Sequence, residues 1–260
     1  MASAADAAGP RAVVGTLNGT VERKTGATWT QLRVGDALAE TDVVRTAAGA
    51  SAQLVFDSAT VEISDRSQLT VTEITQTLSQ IDLSEGRVVA DVVPSADGAF
   101  RIAGLNRDAV VEARDGRFAV LESGKGELTV AAERGSVRFS ARGAEVVVNA
   151  GQQSTAGVAR SPSAPTAIPP SLFLKVAVPG DGRARVSSVV GETRPGAVVS
   201  INGARHATDP QGKFRVPIEL VEGNNQIVVE VDDVSGRHEQ RVVRKRIDTS
   251  GPAVGTQVTW

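Results

Sequence analysis

Apolar residues recur at every second position in short runs along this chain, and each run is closed by Gly, Asp, Asn or Ser. Alternation of this kind is the signature of strands that bury one face. It predicts strands at Val21 to Lys24, Gln53 to Phe56, Thr60 to Ile63, Leu69 to Glu73, Ser79 to Leu83 and Arg87 to Val93. Six more follow, at Phe100 to Ala103, Ala109 to Ala113, Arg117 to Glu122, Glu127 to Ala131, Ser136 to Ser140 and Glu145 to Asn149. Helical periodicity is absent, and Gly recurs too often for helix interiors. Half-buried β-structure is the consistent reading from Ala12 to about Gln153. The unit is organised around Leu32 to Leu38 followed by Asp42 to Thr46. That stretch reads as strand, tight Gly35-Asp36 turn and strand, a hairpin or a coil corner. Periodicity alone does not separate a β-solenoid from a sandwich.

From Ser154 to Ser171 the alternation breaks, with Pro162, Pro165, Pro169 and Pro170 set among Ser, Ala and Thr. Proline removes donors and favours extended backbone, so this reads as a semi-rigid linker and a domain boundary. A second β unit, with about seven strands, runs from Leu172 to Asp248. Its punctuation is clear: Pro195-Gly196 enters a strand, Asn202-Gly203 leaves it, and Asp209-Pro210-Gln211-Gly212 turns into the next. That is the scale of an Ig-like sandwich. Residues 1 to 11 read as a flexible tail. Residues 249 to 260 form either a tail that packs back, with Trp260 as a plug, or the start of a further domain.

Composition narrows the partners. The 260 residues carry a formal charge of only -2, so no global field draws the chain to nucleic acid or an anionic membrane. Cysteine is absent, which removes disulfides, thiolate nucleophiles and metal–thiolate sites. Aromatics are 3%, with no Tyr and two Trp, so a flat stacking platform for sugars or bases is poorly supplied. No apolar run is long enough to span a bilayer. Ala2-Ser3-Ala4 has the small-x-small form cut by signal peptidase, so Met1 stands either where an export signal was removed or at the head of an Ala-rich tail.

Catalytic chemistry is thin. His206 and His238 are the only histidines, both expected near turns, and no Gly-x-Ser-x-Gly elbow accompanies them. Asp209, Asp232, Asp233 and Asp248 could converge on calcium, although turn-forming Asp explains them more simply. Gly124-Lys125-Gly126 and Gly191-Glu192 are too short to cradle phosphate and read as hairpin glycines. No opposed carboxylate pair can be picked out. The one basic cluster, Arg237, His238, Arg241, Arg244, Lys245 and Arg246, falls on both faces of a strand. It serves as edge protection or a solvated face or, in the docking reading, Arg237, Arg241, Arg244, Lys245 and Arg246 meet an acidic partner or an anionic glycan.

The ordered motifs carry a resemblance. Trp29, the Gly35-Asp36 turn and Arg45-Thr46, then Leu83-Ser84-Glu85-Gly86-Arg87-Val88, Gly116-Arg117-Phe118-Ala119-Val120, Glu133-Arg134-Gly135-Ser136-Val137 and Asn149-Ala150-Gly151, fall in the order of FecR-type domains. Arg117 stands where that family often has Thr. The resemblance covers Ala12 to about Gln153 and implies an elongated, twisted β-solenoid-like domain of the bacterial envelope. It also implies structural roles for Trp29, Gly35, Asp36, Arg45, Thr46, Gly86, Gly116, Phe118, Gly135 and Gly151. The second unit resembles bacterial Ig-like accessory domains found beside carbohydrate-active modules.

The expectation is therefore an all-β, non-enzymatic periplasmic or cell-surface protein without cofactors. It would bind or scaffold an envelope protein or assembly, with no nucleic acid and no membrane span in this chain. Attachment to peptidoglycan or another glycan is one alternative, and a sensory fragment of a FecR-like transmembrane signalling protein is another.

Overall fold

A computed structural model describes residues 12–94, 98–180 and 182–249; the two tails, with Trp260 and the strand start expected near it, lie outside these. The described chain is all-β, and its only helical element is one 3-10 turn, Leu105–Arg107.

The first unit has 17 strands. One layer runs in the order β4 (Ala37–Leu38), β1 (Ala12–Asn18), β6 (Ser51–Phe56), β7 (Ala59–Ile63), β9 (Leu78–Val92), β12 (Gly116–Glu122), β13 (Glu127–Arg134), β16 (Gln152–Gly157) and β17 (Thr166–Ala167). The other runs β3 (Thr28–Gln31), β2 (Val21–Thr25), β5 (Val43–Thr46), β8 (Gln68–Ile74), β9 again, β10 (Ala99–Gly104), β11 (Ala109–Ala113), β14 (Ser136–Ala141) and β15 (Ala144–Asn149). The chain passes back and forth between layers as it advances, and every pairing is antiparallel except β9 with β10.

Strand β9 is the hinge of this arrangement. Its first half pairs with β8 and β10 in one layer, and from Gly86 onward it pairs with β7 and β12 in the other. The sequence pattern predicts two strands here, broken around Ser84 to Gly86; the structure instead has one strand bent at Gly86, whose φ is 96°. The Leu32 to Leu38 stretch is a coil corner. It carries the chain from β3 in one layer to β4 in the other, with Gly35 N–H donating to Val14 O at 2.8 Å and Asp36 Oδ2 accepting from Arg33 N–H at 2.8 Å.

Alternation along β6 and β7 puts Leu54, Phe56, Val61 and Ile63 inward, as half-buried strands should. Phe56 meets Phe100 edge-on at 5.3 Å, and Phe118 and Phe139 are fully buried beside them. Each such ring contributes about 3 kcal/mol of burial. Strand β12 departs from the half-buried pattern. Phe118 and Val120 face this core, while Ala119 and Leu121, on the opposite face, are also buried.

The reason lies in the second unit. Its sheets are β18 (Leu174–Ala177), β19 (Val186–Thr193) and β22 (Lys213–Glu219), and β21 (Ala204–His206), β20 (Val198–Ile201), β23 (Gly223–Asp232) and β24 (His238–Ile247). They enclose Val189, Val199, Phe214, Val229 and Val231. Asn202 and Gly203, both at positive φ, make the tight turn between β20 and β21. Val198 and Val234 of this unit then cover Val89, Ala119, Leu121 and Ala131 of the first, with Ile168 packed alongside.

The expected linker is stitched to the first unit. It begins inside β16, Ser154 Oγ donates to Ser163 O at 2.7 Å, and Thr166–Ala167 adds β17 beside β16. Ser and Thr hydroxyls and the proline-free positions supply the bonds that proline density alone hides.

Candidate interaction surfaces

Polar clamps flank the apolar seam between the units. Arg87 Nε donates to Val234 O at 2.8 Å, and burial pushes its guanidinium below the ordinary arginine range. Arg205 Nη2 donates to Arg66 O at 2.8 Å, Arg66 stands 3.5 Å from Glu230, and Thr129 Oγ1 donates to Gly196 O at 3.1 Å. Gly196 is required at that point: a Cβ there would lie 2.6 Å from Thr129 Oγ1 and 2.7 Å from Thr155 Oγ1. From the linker, Pro169 O accepts from Arg237 Nη1, and Arg160 pairs with Glu127 at 2.8 Å.

The turn between β12 and β13 is Ser123-Gly124-Lys125-Gly126, closed by Ser123 Oγ, which accepts from the N–H groups of Lys125 and Glu127. Beside it opens a cleft of about 540 Å³ whose wall includes Asp82, Asn106, Arg107, Glu122 and Lys125. Leu105, Asn106 and Arg107 all have positive φ, a run of left-handed non-glycine backbone that stores strain. Arg107 is tied down by Asp82. The Glu122 carboxylate, 3% exposed, accepts from the Leu105 N–H at 3.2 Å and from the Gly124 N–H. It fits because Gly104 has no Cβ, which would stand 3.1 Å from Glu122 Oε2.

Burial raises the Glu122 pKa from 4.5 to about 7, against the lowering effect of its two backbone donors. The folded chain therefore holds a proton between pH 4.5 and 7 that the unfolded chain has lost, so stability present below pH 4.5 drains away as pH rises through 7. Glu122→Gln abolishes that loss. Its unfolding free energy should match the parent at pH 4 and exceed it by about 3 kcal/mol at pH 8, measured by urea titration. A difference independent of pH would show that the carboxylate does not titrate in this range.

The signature residues have structural placements. Arg45 lies 3.7 Å over the Trp29 ring and donates to Glu22 at 2.7 Å. Thr46 Oγ1 donates to Ser64 O at 2.6 Å and accepts from Ser67 N–H at 2.9 Å. Gly116 and Gly135 cross closely, since a Cβ on Gly116 would meet Arg134 O at 2.3 Å. Phe118 is core, and Gly151 makes an open turn at φ 79°.

The basic cluster does not come together. Arg237 holds Pro169 and Asp233, Lys245 donates to the carbonyls of Val178, Pro179 and Gly180, and Arg241 pairs with Glu239 at 2.7 Å. Arg244 and Arg246 remain on the other face of the β24 edge strand. His206 and His238 sit at strand ends, and His238 Nδ1 is 2.9 Å from Asp232. The four aspartates do not converge: Asp209 binds its own turn and Asp233 binds Arg237. Among the described residues no group of three His, Cys, Asp or Glu could hold a metal, and no helix is long and apolar enough to cross a membrane.

Glu122, Arg87 and Arg205 are not among the candidate site residues expected from the sequence, although Glu122 and Arg87 fall within expected strands. Glu122 carried a usable signal, because it is in phase with Phe118 and Val120 and so points into the core. Arg87 and Arg205 carried none, since their partners lie across the seam.

Residues 42–138 match the family described as FecR protein. That span runs from just before β5 into β14 and so contains the β9 bend and every residue lining the Glu122 cleft except Val158. No curated protein matches the chain. Solved structures that align include two crystal structures of a candidate anti-sigma factor from Parabacteroides distasonis ATCC 8503, 16% and 15% identical, each with a TM-score of 0.43 over 48% of this chain and 59% of theirs. A polysaccharide lyase aligns at 8% identity and a TM-score of 0.23, over 94% of this chain and 40% of its own. The chain thus spans 59% of the length of the first two.

Proposed function

We propose that this chain is a non-catalytic binding or scaffold protein of the bacterial envelope, working by protein–protein contact from the periplasm or cell surface. In this reading the first unit is a FecR-type, solenoid-like stack and the second an Ig-like sandwich, with the seam making the pair one rigid frame. The observation that carries it is the seam itself. Apolar packing flanked by Arg87 and Arg205 fixes the two units at one angle, which suits presentation of a surface better than turnover of a substrate.

The FecR match over residues 42–138 favours a second reading, the sensory part of an envelope signalling protein. One experiment sorts these: the purified chain as bait in bacterial envelope extract, before and after peptidoglycan digestion. Discrete protein partners that persist after digestion are expected. Capture that vanishes with the sacculus would make this a wall-binding module and overturn the protein-contact reading. Partners restricted to a transporter and its regulator would favour sensing.

A further inference from the structure

We propose that the cleft where the two units meet is a docking site for an extended acidic segment of a protein partner, read by Arg45, Lys125 and Arg205. The cleft holds about 470 Å³ and is built from both units: Arg45, Gln68, Glu85 and Lys125 on one side, Arg205 and the Gly203 turn on the other. Arg66 completes a set of four cations against the single acid Glu85 along this lining. The acids that pair with Arg45 and Arg66, namely Glu22, Asp65 and Glu230, do not line it.

Two features favour an acidic occupant. Arg205 is held only loosely by the one acid of this lining, with Nη1 3.6 Å from Glu85 Oε2, beyond hydrogen-bond distance. Lys125, exposed on its hairpin, has no ion-pair partner among the described residues.

Geometry selects a chain over a small ion. Arg45, Gln68 and Glu85 are register neighbours across β5, β8 and β9, so Arg45 and the Arg205 that pairs with Glu85 stand at the two ends of a row roughly 10 Å long. A phosphate fills only a corner of that space, whereas carboxylates on alternate residues of an extended segment are about 7 Å apart and span it. Carboxylate recognition by arginine is favoured by its planar fork. Because the site exists only while the units are docked, it depends on the seam.

This inference deepens the protein-contact reading and rests on it for the nature of the occupant. Trp29 under Arg45 supplies a reporter, with Trp260→Phe leaving it the only indole. Titration with a Glu-Ala-Glu-Ala-Glu-Ala peptide should change Trp29 emission saturably and weaken as salt rises. Lys125→Glu, on an exposed turn, should keep the melting temperature and lose about tenfold or more in affinity. Arg205→Ala should lose as much but also loosen the seam, so Lys125→Glu is the deciding variant. Arg244→Ala/Arg246→Ala, on the β24 edge, should bind as the parent does. Parent-like binding by Lys125→Glu, or inorganic phosphate binding as tightly as the peptide at equal ionic strength, overturns the proposal. If the peptide fails while envelope capture persists, the docking site lies elsewhere and the protein-contact reading stands; if both fail, that reading falls too.

Discussion

Gly86→Ala is expected to lower the thermal midpoint of the chain by about 10 °C, from a loss of about 4 kcal/mol. At φ 96° the backbone is in a region that alanine adopts only with strain. The added Cβ would also lie 2.1 Å from Ser67 Oγ and 2.4 Å from Ser67 Cα, and backbone cannot move aside as a side-chain tip can. Ser67 Oγ is itself engaged, accepting from Arg87 N–H at 3.0 Å. The substitution therefore strikes the bend that lets β9 serve both layers. Gly151→Ala is the control. It has similar positive φ but nothing within 4 Å of the new Cβ, and should cost about 1 kcal/mol. Equal losses at the two positions would show that conformational strain alone, without the close approach, governs Gly86.

Leu121→Asp should separate the two units. Leu121 is 3% exposed on the outer face of β12, in the cluster that holds Val198 and Val234. A carboxylate there is desolvated without a designed partner, which costs about 3–5 kcal/mol while the seam stays closed. Opening the seam relieves that cost, since the residue then faces water. Calorimetry should change from one cooperative transition in the parent to two in the variant. Because β12 belongs to the first unit, Val198→Asp supplies the test from the other side and should give the same splitting. One transition in both variants would mean that the units fold together for reasons beyond the seam.

The sequence announces the strands because each buries one face, so β6 and β7 are legible residue by residue. It hides what depends on a second layer or a distant partner. Gly86 reads as a break because a glycine in an alternating run usually ends a strand, yet here it bends one. Ser154 to Ser171 reads as a spacer because proline density masks the two-residue strand Thr166–Ala167 and the Ser163 bonds. The arginines of β24 cluster along the chain, but strand alternation sends Arg244 and Arg246 to one face and Arg241 and Lys245 to the other. Four cations from distant segments meet instead around the Lys125 hairpin and the Gly203 turn. Nothing in local pattern forecasts that, since Arg45 and Arg205 are brought together only by docking of the units.

Whether the two β units act as one rigid frame can be read from a single distance between them. The chain has no cysteine, so Arg142→Cys and Gln211→Cys, on exposed turns of the first and second units, can be spin-labelled cleanly. A rigid frame gives a single narrow distance distribution by pulsed electron resonance, unchanged by added salt and broadened by Leu121→Asp. A broad or multiple distribution in the otherwise unaltered chain would contradict it.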